Sequence, residues 1–77
     1  MTREELDRIL RIAARQRPFH PYILEFVSGG TVLVKHPELV VRRGIFYLYQ
    51  ASDGDWRLFA SASVSHLRPG PAVPRIP

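Results

Sequence analysis

Near the N-terminus the apolar positions Leu6, Ile9, Leu10 and Ala13 recur at i, i+3, i+4 and i+7, which gathers them on one face of a helix with Ile12 and Ala14 at its margins. Thr2 stands three residues before Glu5, the spacing at which hydroxyl and carboxylate each satisfy an open backbone N–H at a helix start. On the polar side Glu4 precedes Arg8 by four and Asp7 precedes Arg11 by four, so these residues read as surface ion pairs, with Arg15 following late where the helix dipole favours a cation. "RPFHPY" then ends the helix, because each proline pushes the preceding residue out of helical geometry and donates no hydrogen bond. Phe19 and Tyr22 flank that turn and are placed to pin the helix to a sheet.

From Tyr22 the period changes to two. Tyr22, Leu24 and Phe26 share one face, "SGG" breaks the run, and "TVLVK" resumes it with Val32 and Val34 on one side. This predicts a hairpin closed at Gly29 and Gly30, where tight turns call for positive backbone angles. "IFYLYQ" and "WRLFAS" flank "ASDGD", and Asp53-Gly54 predicts that they pair antiparallel. Between the two hairpins lies "KHPELVVRRG", read as a connection in which Pro37 marks the end or a bulge of the preceding strand, Leu39, Val40 and Val41 either anchor the crossing on the core or continue as strand, and Gly44 releases the chain into the next strand. In "SVSHLRP" Val64 and Leu67 stand three apart, a spacing that suits one tight helical turn before a brief closing strand.

The pattern predicts an α+β chain: an N-terminal helix followed by a small, strongly bent, five-stranded antiparallel sheet or barrel, in which closure removes exposed edges. Residues 1–68 form a single domain, and residues 69–77, with four of the seven prolines, form a poorly ordered tail. Phe46 and Leu48 oppose Tyr47 and Tyr49, while Ile23 and Val27 oppose Leu24 and Phe26. One apolar face of each strand belongs to the core, and the surplus predicts a subunit interface.

Composition narrows the class. The 77 residues are 45% hydrophobic and contain no cysteine, so burial or self-association must supply the stability without disulfides. No apolar run reaches the roughly 20 residues that span a bilayer, and the charged N-terminus is unlike a signal peptide, which predicts a cytoplasmic protein without membrane contact. A net charge of +4, carried by ten arginines and one lysine, permits contact with phosphate.

The stretch "RPFHPYILEFVSGGTVLVKHPELV" resembles a group of short bacterial proteins with an N-terminal helix, a Pro-Phe-x-Pro-Phe strand and a His-Pro-Glu motif, matched here by Pro18, Phe19, Pro21, Tyr22, Gly29, His36, Pro37 and Glu38. That group carries no assigned activity, so the likeness implies kinship and no chemistry. More loosely, the order of a leading helix and bent strands with a "Val-x-x-Leu" close is similar to the Sm-like (Hfq/LSm) barrels, which bind RNA, and to SH3-like barrels. The RNA-binding runs of the Sm-like family do not align: "FASASVSH" stands where a Tyr-Lys-His type run would, and Arg43-Gly44 precedes the third strand instead of following the fourth.

Nothing in the chain forms a catalytic signature. His20, His36 and His66 lack the close pairings of a zinc site. Ser61, Ser63 and Ser65 share one strand face if extended, without a nucleophile elbow around them. No helix follows Gly29-Gly30, so they are not a phosphate loop. The expectation is a non-enzymatic binding module with no cofactor and no metal. Its favoured ligand is RNA or single-stranded DNA, bound through Lys35, His36, Arg42 and Arg43, with Tyr47, Tyr49 or Trp56 stacking on an unpaired base. The alternative is a protein-interaction or homo-oligomeric assembly module.

Overall fold

The computed structural model describes residues 1–70; residues 71–77, most of the expected tail, lie outside the described residues. One helix, α1 (Arg3–Arg15), is followed by β1 (Tyr22–Phe26), β2 (Thr31–Val34), β3 (Val40–Arg43), β4 (Phe46–Gln50), β5 (Trp56–Phe59) and β6 (Val64–Pro69). Short 3-10 turns at Pro37–Leu39 and Ser61–Ser63 precede β3 and β6. The strands form two antiparallel three-stranded sheets, ordered β2-β1-β6 and β3-β4-β5.

The α+β class is as expected, but there are six strands where five were expected. The sixth comes from the supposed connection. Pro37, which cannot donate to a ladder, opens the 3-10 turn. Val40 to Arg43 then pair with β4 from Val40↔Tyr49 to Arg43↔Phe46. A two-residue loop, Gly44 and Ile45, joins these strands, with Gly44 at φ 62°, the positive first angle of a hairpin turn that matches strand twist. The Asp-Gly hairpin forms as predicted, with Gly54 at φ 91° and Gln50↔Trp56 as its last ladder pair.

The closing strand corrects a second expectation. Val64 and Leu67 are three apart because β6 carries a bulge, not because the segment is helical: Glu25 pairs with His66 and Phe26 with Val64, leaving Ser65 without a partner. One extra residue resets the alternation, so Val64 and Leu67 both face inward. Ser61 and Ser63 lie in the preceding 3-10 turn and Ser65 at the bulge, so the three serines share no strand face. The strand also runs through Pro69, and the Gly70 N–H donates to the Pro21 carbonyl at 2.9 Å, so the ordered chain extends past residue 68. A Cβ at Gly70 would stand 2.8 Å from that carbonyl oxygen, so the close approach of the two backbones calls for glycine there.

The core lies between the sheets and under α1: Leu6, Tyr22, Leu24, Val34, Tyr47, Phe59 and Val64 are buried. Leu10 and Ala13 extend the contact of the helix, and Thr2 and Glu5 form the reciprocal capping box read from their spacing. Hydrogen bonding to Thr2 lowers the pKa of Glu5 below the usual carboxylate value. Phe19 meets Tyr22 edge-on at 6.0 Å, fastening the helix exit to β1 as expected. Phe59 stacks on Tyr47 at 5.4 Å and meets Phe26 edge-on at 5.5 Å, so aromatic rings from both sheets fill the interior.

Candidate functional site

The residues proposed from sequence do not gather in one place. Lys35 follows β2 and lies toward the end of β4 that carries Tyr49 and Gln50, whereas Arg42 and Arg43 pair with its opposite end, at Tyr47 and Phe46. The antiparallel β3–β4 hairpin enforces this separation. Reading residues 35–44 as a link set the three cations at the two ends of one short connection, within reach of a single ligand.

Arg42 and Tyr47 are engaged inside the fold. Arg42 Nη1 meets Asp7 Oδ2 at 2.6 Å, and its Nε donates to the Gly44 carbonyl at 2.9 Å. The Tyr47 ring is 1% exposed, its hydroxyl donating to Asp7 and to the Arg3 carbonyl. Tyr47 therefore has no free face for a base. Asp7, expected to pair with Arg11 along the helix, lies at the edge of the buried stripe and faces β3 and β4, where tertiary partners replace the local one. Glu4 and Arg8 form no ion pair among the described residues.

His36 is exposed. Its carbonyl accepts the Leu39 N–H at 3.1 Å, but its side chain makes no cap bond, so the bend needs only its backbone. Arg43 is exposed on the outward face of β3 and has no ion pair among the described residues.

Lys35 and Tyr49 do come together. They line an open cleft of about 720 Å³ with Leu39, Gln50, Ser52 and Arg57. Tyr49 is half-buried, packed at 6.1 Å on Phe26 and 5.8 Å on Phe59. Arg57 stands directly across the ladder from Tyr49 and pairs with Asp53 at 3.2 Å, both side chains more than half exposed. Such an exposed pair contributes little to stability and yields readily to a competing anion. The Asp55 N–H holds Asp53 at 3.0 Å, the main cause of its lowered pKa. The cleft thus sets two cations around one ring, with Ser52 at its rim. Sequence reasoning missed Arg57: a two-residue Asp53-Gly54 turn would set Arg57 across from Gln50, whereas the observed loop of three residues, 52–54, shifts the register by one and sets it across from Tyr49.

Comparison with protein-family models, curated proteins and solved structures finds no match. The assignment of this surface therefore rests on its chemistry. Among the described residues no group of three His, Cys, Asp or Glu could hold a metal ion, and no helix is long and apolar enough to cross a membrane.

The buried tyrosines carry a testable pH dependence. Burial pushes Tyr22 up to about 12, and burial followed by the hydrogen bond to Asp7 pushes Tyr47 up to about 12, from 10.0. The folded state holds both protons more tightly than the unfolded chain. Their contribution is therefore full below about pH 10 and is lost as pH rises toward about 12. Circular dichroism melts taken with tyrosinate absorbance should show unfolding and delayed ionisation together. Ordinary tyrosine titration without loss of structure would contradict this.

Proposed function

We propose that this chain is a non-enzymatic binding module for single-stranded nucleic acid, RNA or DNA, acting in the cleft between Lys35, Tyr49 and Arg57. The supporting observation is that arrangement itself: two exposed cations flank a half-buried ring, with Ser52 at the rim of the cleft. An unpaired base stacks on an aromatic face whatever its identity, while lysine and arginine neutralise the flanking phosphates. A small bent barrel of the Sm-like or SH3-like kind is the architecture of this reading. It is supported by β2 and β3 following one another across the short Pro37–Leu39 turn, each in its own three-stranded sheet.

Fluorescence anisotropy with short single-stranded oligonucleotides tests the reading. With about two phosphates neutralised, the logarithmic salt slope is about −1.4, so affinity falls about sevenfold between about 50 and about 200 mM salt. Absence of binding at the lowest salt, or binding indifferent to salt, would sink it.

A further inference from the structure

The outward face of the second sheet is uncovered. Alternation sends Tyr47, Tyr49 and Phe59 inward and leaves Val41 and Arg43 of β3, Phe46 and Leu48 of β4, and Trp56 and Leu58 of β5 outward. Leu58 is 61% exposed, Trp56 48% and Phe46 41%. Arg43 is the only charged residue of that outward set.

We propose that a second copy of this chain covers this face, the two sheets crossing at nearly a right angle about a two-fold axis beside Leu48. The geometry follows from the register. Arg43 stands at one corner of the face, across from Phe46, and Trp56 at the diagonally opposite corner, across from Gln50. A two-fold axis along the other diagonal lays each Arg43 over Trp56 of the partner subunit. It also sets Phe46 over Leu58 of the partner subunit and the two Leu48 side chains against each other. A guanidinium over an indole ring is favourable electrostatically and needs no acidic partner. Val41 then meets Gln50 of the partner subunit, whose amide in this chain already donates to the Gly54 carbonyl at 3.2 Å. Packed sheets adopt either aligned or orthogonal arrangements. The aligned one brings Arg43 over strand ends where no outward aromatic or acidic side chain of this face stands.

The patch measures roughly 14 by 16 Å from ordinary strand spacing and rise. That is small beside the roughly 800 Å² per partner of a standard interface, so the dimer is weak and reversible.

Sedimentation equilibrium of the full chain over a wide concentration range reads the result. The average mass should climb from 8.8 kDa toward twice that value. Leu58→Lys should remain monomeric with an unchanged melting curve. Arg43→Ala and Trp56→Ala should each raise the dissociation constant at least about twofold, and the double variant little beyond the larger single effect, because both remove one cation–ring contact. A mass fixed at the monomer overturns the dimer. Association that survives Leu58→Lys overturns this face as its site, and fully independent effects of Arg43 and Trp56 overturn the crossed arrangement.

Discussion

Tyr47→Ala should destabilise the chain by about 3 to 5 kcal/mol, measured by urea denaturation. The ring is 1% exposed and stacked on Phe59, so its loss opens a cavity at the centre of the packing between the sheets. A domain of this length has about 0.05 to 0.15 kcal/mol of stability per residue, so the variant should be largely unfolded or close to it. Tyr47→Phe separates the ring from its hydroxyl. It keeps the packing, removes the bonds to Asp7 and the Arg3 carbonyl, and should cost about 1 kcal/mol. Nucleic-acid binding should survive Tyr47→Phe, because this ring belongs to the core. A Tyr47→Ala protein that stays fully folded but loses binding would return Tyr47 to the ligand site.

Lys35→Glu combined with Arg57→Glu should lower affinity for single-stranded oligonucleotides on the order of 100-fold at low salt, because two phosphate contacts become repulsions. Both side chains are exposed, and the Arg57–Asp53 pair contributes little, so stability should change by less than about 1 kcal/mol. Arg43→Glu is the matching control, since it changes an exposed arginine at the far end of β4. Arg42→Glu is a poor control, because it would set a second carboxylate against Asp7. Loss of binding in Arg43→Glu with none in the Lys35/Arg57 variant would move the site to the β3–β4 turn.

How much of this was legible depended on whether the relevant forces were local. The helix was, because its cap and apolar stripe lie within one short stretch of chain and are both read from local spacing. Both turn-signalled hairpins were, because Gly29 and Gly54 answer a local backbone demand with positive φ. The third hairpin hid behind its charges. Val40 and Val41 are a short apolar pair, and only Gly44 followed by a matching strand makes them β3. The bulge at Ser65 hid for a different reason: three-residue spacing is the mark of a helical turn unless a neighbouring strand supplies the missing ladder.

The candidate site divided along the same line. The basic balance of the chain, the residue types that recognise phosphates and bases, and the inclusion of Lys35 and Tyr49 could all be read along the sequence. Which cations were free could not. Asp7 and Arg42 are 35 positions apart and Asp7 and Tyr47 are 40 apart, so their association exists only once α1 lies across β3 and β4. The sequence by itself determined the helix, the turns and the alternation that makes each strand two-faced, because these follow from short-range sterics and periodicity. Tertiary packing alone decided which tyrosine is buried and which arginine is neutralised. It also decided which apolar face meets solvent, because each of those outcomes is a choice between partners distant along the chain.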